Sequence, residues 1–130
     1  MSQTILLVDD DIQFVNQTRQ RLADSGYQVL CARSRAEAES MLEQSKPDAL
    51  VSEVMLERPD AGFCLAWSAK KRYPKMPVLL VSSVTWRTGL QFNLSRSGDS
   101  AWIQADAFIN KPVRSEELEN EIRRSLRPSA

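Results

Sequence analysis

The chain has 130 residues, 17 lysines and arginines against 17 aspartates and glutamates, and no histidine. This length suits one domain with a core of its own, and the charge balance argues against a broad electrostatic surface for nucleic acid or anionic membrane. Without histidine, the commonest general base, the Ser-His-Asp and Cys-His nucleophile arrangements and most zinc sites are excluded, leaving carboxylates, hydroxyls and lysines to carry any chemistry.

In chain order, short apolar runs alternate with helical patterns, and there is no internal repeat or low-complexity tract. Residues 5–8 (ILLV) read as a buried strand. Asp11 can cap a helix whose buried stripe includes Phe14, Val15, Thr18 and Leu22, and Gly26 ends it. Residues 28–32 (QVLCA) read as a second strand. Ser34 followed by Glu37 forms a capping box for a helix that buries Ala38, Met41 and Leu42 and stops before Pro47. Residues 49–53 (ALVSE) make a third strand, interrupted by Ser52 and ending on a carboxylate, Glu53. A helix over about 62–73 is closed by Pro74, and Pro77 introduces the fourth strand, VLLVS. Residues 107–109 form a short fifth strand, and Ser115 caps a last helix with Leu118, Ile122 and Leu126 at i, i+4, i+8.

Strands with continuous apolar runs, alternating with helices, imply a parallel sheet covered on both faces. In such sheets, sites form outside the carboxyl ends of the strands, near a switch in strand order. Those ends hold Asp9 and Asp10, then Glu53, then Ser82 and Ser83, then Lys111. Three carboxylates so close need a cation, a shared proton or the lysine to be tolerable. Oxygen ligands of this kind suit a hard divalent ion such as magnesium, while Lys111 and Ser82 suit an anion. Taken singly, each residue also has an ordinary role as helix cap, strand end or turn. Their coincidence at four strand ends is what points to a site.

The stretches ILLVDD, PDALVSEVML with AGF after it, PVLLVSS and AFINKPV together resemble the receiver domain of two-component response regulators, over essentially the whole chain. The resemblance implies a CheY-like (flavodoxin-like) α/β three-layer sandwich, with five parallel strands in the order 2-1-3-4-5. It implies an acidic pocket of Asp9, Asp10 and Glu53, with Asp10 as the direct metal ligand and Met55 offering its carbonyl. Ser82 and Phe108 match the switch positions. Lys111 matches the phosphate-pairing lysine and precedes a cis bond to Pro112. Family members take a phosphoryl group from a histidine kinase onto an aspartate at the end of the third strand.

This sequence departs from the family at that point, because Glu53 stands at the phosphoacceptor position. An extra methylene moves the carboxylate outward by about a bond length, and misplacements of about 1 Å can cost roughly 10²-fold in reactivity. The expectation is a receiver without phosphotransfer and so not an enzyme, acting by protein–protein contact and either inert or imitating phosphorylation. Magnesium is expected to bind weakly or not at all. A metal-dependent phosphatase using Asp9 and Asp11 is the alternative, and a flavodoxin-type cofactor binder lacks a glycine-rich phosphate loop. Between Ser82 and Lys111 lie 28 residues, roughly two helical turns more than the family's spacing. That segment, 85–106, holds Trp86, Phe92 and Trp102, as core or as partner anchors.

The expected organisation is a single receiver domain over 1–130 with no output domain attached. Expected partners are a histidine kinase or a downstream target protein, with a homodimer as a further possibility, and no direct nucleic acid or membrane. Cys31 and Cys64 have neither metal-ligand nor redox-motif spacing, and the N-terminus lacks a signal pattern, so a cytoplasmic protein with reduced thiols is expected.

Overall fold

A computed structural model of the chain describes residues 3–56, 61–82 and 105–126. The elements run β1 (Thr4–Val8), α1 (Ile12–Asp24), β2 (Gln28–Ala32), α2 (Arg35–Gln44), β3 (Ala49–Glu53), α3 (Ala61–Arg72), β4 (Val78–Ser82), β5 (Ala107–Asn110) and α4 (Ser115–Leu126). The five strands pair in parallel in the order β2-β1-β3-β4-β5. This is the α/β fold expected from the sequence. The expectations for Ser83 and for residues 85–104 fall outside the described residues.

The alternation along the strands explains how the layers form. In β1, Leu6 and Val8 pack toward α2 and α3, with Ala38, Leu42, Leu65 and Ala66. Ile5 and Leu7 pack toward α1 and α4, with Leu22, Leu118 and Ile122. The same parity holds in β3 and β4, so side chains of the central strands are buried on both faces. β2 and β5, at the edges, are only partly covered. Pairing of buried apolar runs in the middle with half-polar strands outside is what a doubly covered parallel sheet requires.

Local signals set the helix ends. The Asp11 carboxylate accepts from the Phe14 amide at 3.2 Å and caps α1. Gly26, at φ +96°, closes it, with the Tyr27 amide donating to Leu22 O at 3.0 Å. In the capping box of α2, Ser34 Oγ accepts from the Glu37 amide at 3.1 Å. The Glu37 carboxylate reaches back to the Arg33 amide, at 2.7 Å, one residue before the cap. Thr18, Leu22, Ala38 and Leu42 are buried as expected, whereas Phe14, Val15 and Met41 are half-buried.

Some boundaries differ from the sequence reading. The third helix starts at Ala61 and ends at Arg72, leaving Tyr73 outside, where its hydroxyl donates to Leu42 O at 2.8 Å. The fifth strand extends through Asn110. Ser115 is the first helical residue rather than the cap, since the Arg114 carbonyl accepts from the Leu118 amide at 3.0 Å. Among the described residues, no helix is long and apolar enough to cross a membrane.

One buried charge joins the first and last helices. Glu119, 3% exposed at its side chain, accepts from Arg21 Nε at 2.6 Å and pairs with Arg123 one turn further along α4. Its hydrogen bond to Arg21 outweighs burial and holds its pKa below the usual carboxylate range. A depressed folded-state value means that this contribution is present above the unfolded value and is lost as pH falls through the folded one. Glu119→Gln should therefore lower stability at neutral pH by about 1–3 kcal/mol, as for a lost bond to a charged group. Thermal melts below the ordinary glutamate range, about pH 4, should show the two proteins converging.

Candidate functional site

The parity that builds the core also assembles the site. Val8 pairs with Ser52, so one residue further Asp9 faces Glu53 across neighbouring strand ends. Glu53 pairs with Val81, and Val81 with Ile109, two residues before Lys111. Asp9, Glu53 and Lys111 thus continue the faces of Leu7, Val51 and Ile109, toward α1 and α4.

Their side chains meet. Lys111 Nζ lies 2.8 Å from Asp9 Oδ2 and 3.0 Å from Glu53 Oε1. The remaining oxygens have backbone donors: the Asp11 amide to Asp9 Oδ1 at 2.9 Å, and the Met55 amide to Glu53 Oε2 at 3.0 Å. Both carboxylates are nearly closed off from solvent, Asp9 at 1% and Glu53 at 5% exposed. Burial raises the pKa of each, against the opposing pull of Lys111 and the amides. For Lys111, burial works against the charged form, but the two carboxylates outweigh it and raise its pKa. The lysine therefore stays protonated, and the two acids share one counter-charge. Its ammonium also lies 4.4 Å from the centre of the Phe14 ring, a cation–π contact supplied by α1.

The other expected residues hold different relations to this cluster. Asp10 is exposed, and its charge is felt at Asp9, whose pKa it helps to raise. Ser82 is fully buried, and its carbonyl accepts from the Lys111 amide at 2.8 Å, fixing the backbone that carries the ammonium. Phe108 is half-buried on the opposite face, against the cluster that includes Leu80. The Lys111–Pro112 bond is cis, as expected.

The roles of two site residues escaped the sequence reading. Phe14 had been assigned only to the core stripe of α1. Gly62 reads from the sequence as a helix start and as part of the AGF stretch that resembles the family, and the structure seats α3 directly on the end of β3 there. A Cβ on Gly62 would lie 2.2 Å from Glu53 O and 2.5 Å from Val54 Cα, and the Gly62 amide donates to Val54 O at 2.8 Å. Ser52 completes the frame, its hydroxyl donating to Glu53 O at 3.0 Å.

The sequence pattern that describes the response regulator receiver domain matches residues 5–123. The chain belongs to the response regulator receiver domain family. It is 32% identical over 127 residues to the response regulator MprA of Mycobacterium bovis (strain BCG / Pasteur 1173P2), covering 98% of this chain and 52% of that protein. MprA of Mycobacterium avium (strain 104) is 31% identical over 123 residues. The chain spans about half the length of these curated relatives. Among solved structures, it resembles the CheY-like receiver domain protein of Methanospirillum hungatei JF-1, with a TM-score of 0.80 and 28% identity over 97% of this chain and 94% of that one.

Receiver domains are signalling domains that in general work with a histidine kinase and typically bind magnesium. The donor set here does not fit such an ion as it stands. The oxygens of Asp9 and Glu53 already face Lys111 and two amides, leaving exposed Asp10 as the carboxylate outside the cluster. Among the described residues, no group of three or more ligating side chains is arranged to hold a metal. Magnesium demands near-ideal octahedral oxygen geometry and dehydrates reluctantly, so an ion here competes with the Lys111 ammonium for these oxygens.

The Gly62 contact yields a direct test. Gly62→Ala forces backbone apart at the end of β3 and should destabilise the receiver by at least about 1–3 kcal/mol, the range for overpacking. Urea unfolding measures this, and Ala36→Gly, at an exposed position of α2, provides the comparison for helix propensity alone.

Proposed function

We propose that this receiver signals through protein–protein contact in a single charge-fixed state, without taking a phosphoryl group. The observation that carries this reading is the engagement of Glu53, with Lys111 at 3.0 Å on one oxygen and the Met55 amide at 3.0 Å on the other. Glu53 occupies the phosphoacceptor position at the end of β3. An acceptor carboxylate needs a free oxygen in line with the phosphodonor, and its charge must be relieved as the donor approaches. Here the longer side chain spends its reach on Lys111. Ser82 and Phe108 take the switch positions, and Lys111 takes the phosphate-pairing position, already satisfied by the protein's own carboxylates.

The same geometry supports a non-enzymatic reading over a metal-dependent phosphatase. Asp11 caps α1 through one carboxylate oxygen, and its amide holds Asp9, whose two oxygens are both engaged, so Asp9 presents no free nucleophile. Magnesium, which would draw on Asp10, Glu53 and the Met55 carbonyl, binds weakly or not at all, because Glu53 is already held by Lys111 and the Met55 amide. The partner is a histidine kinase or a downstream target protein that reads the fixed charge.

Shortening the side chain tests the reading. Glu53→Asp should withdraw the carboxylate from Lys111, strengthen magnesium binding, and accept a phosphoryl group from acetyl phosphate with loss of acetate. Intact-mass measurement should show the added phosphoryl group on the variant and none on the natural protein. Phosphorylation of Glu53 in the natural protein would overturn the proposal. Glu53→Gln keeps the length and removes the charge, so it should also lower the affinity of any partner that reads the charged state.

A further inference from the structure

A separate cleft of about 440 Å³ lies between α1, the end of β2 and the start of α2. Like the acid pocket, it opens at the carboxyl ends of the strands, where open α/β sheets place their ligands. We propose that this cleft binds a small organic anion with an apolar body.

Its apolar wall is formed by Ile12, Val15 and Cys31. Ile12 is 52% exposed, one of three large hydrophobic side chains left open to solvent among the described residues. Burial pushes the Cys31 thiol up, so at neutral pH the sulfur is an uncharged part of that wall, even with the charge of Arg19 pulling the other way. Arg19 lines the same cleft.

The polar side carries Arg19 and Arg33, with Asn16 between the two chemistries. Neither arginine has a carboxylate partner among the described residues, whereas Arg21, Arg35, Arg72, Arg114, Arg123 and Arg124 all do. Of the two acids that line this cleft, Asp9 is held by Lys111, and exposed Glu37 has one oxygen on the Arg33 amide, so the two arginines supply its unpaired positive charge. Two free guanidinium groups beside an apolar wall recognise a carboxylate, sulfonate or phosphate joined to a ring or hydrocarbon, as fork-like donors do in charge-assisted pairs.

The cleft shares Asp9 with the acid pocket, so its test changes neither Asp9, Glu53 nor Lys111. Naphthoate serves as the probe and naphthylmethanol as its uncharged counterpart, each titrated into the natural protein and followed by amide NMR. Naphthoate should give saturable shifts centred on Ile12, Val15, Cys31 and Arg33, at least about tenfold tighter than the alcohol, the scale of a charge-assisted bond. Arg19→Gln combined with Arg33→Gln should remove that preference, while Arg72→Gln, on α3, should leave it intact. Equal affinity for the alcohol, shifts centred elsewhere, no saturable shift, or an unchanged preference in the double variant would each overturn the proposal. Both arginines are exposed, and the circular dichroism of the double variant should match that of the natural protein.

Discussion

The Lys111 ammonium between Asp9 and Glu53 is the interaction on which the site end of this domain depends. Two nearly buried carboxylates on adjacent strands are costly, because desolvation and mutual repulsion both penalise ionisation. One cation within 3.0 Å of each opposes both penalties, although burial still leaves the pKa of each carboxylate raised. Each acid keeps a backbone donor on its second oxygen, so the cluster leaves few unsatisfied groups; no buried side-chain polar atom lacks a partner among the described residues. The arrangement also fixes the lysine, since its amide is tied to Ser82 O and its ammonium rests against Phe14.

A pocket satisfied in this way differs from one awaiting a ligand. A divalent ion or a phosphoryl group brings charge that has to compete with contacts already made within the protein. Glutamate strengthens that competition, because its added methylene lets the carboxylate reach the lysine while its other oxygen takes the Met55 amide. The backbone allows little adjustment. Glu53 O is held by the Ser52 hydroxyl and crowded by Gly62, so the strand end cannot retreat to make room. Side-chain length, rather than a looser pocket, therefore accounts for the contact between Glu53 and Lys111.

The strands were legible because buried parallel strands write themselves as unbroken apolar runs, as in ILLV and VLLV, whereas their order follows only from the resemblance to the receiver family. The residues at the strand ends were legible for the same reason: a polar group directly after such a run lands at the sheet's edge, whatever the helices do. Contacts between distant segments were not legible. Nothing local in α1 says that Phe14 faces Lys111, since its spacing is that of any core residue. Nothing in AGF says that Gly62 must lie against β3, because that requirement arises only once α3 is packed. Asp9 and Asp10 were read as a pair, but successive residues leaving a strand point to opposite sides, and the structure buries one and exposes the other. Ser115 looked like a cap by residue type, and only the Arg114–Leu118 bond reveals where the helix begins.

Helix α1 connects the features that would otherwise be separate. Its cap residue, Asp11, donates its amide to Asp9 in the acid pocket, and Phe14, one turn on, lies against Lys111. Ile12, Val15 and Arg19 form one side of the cleft beside β2, and Arg21 near the far end binds Glu119 of α4. Helical periodicity distributes these roles around the helix while Thr18 and Leu22 hold it against the sheet. A short, well-capped helix moves as a unit more readily than it bends. The acid pocket, the cleft and the docking of the last helix therefore share the same rigid element.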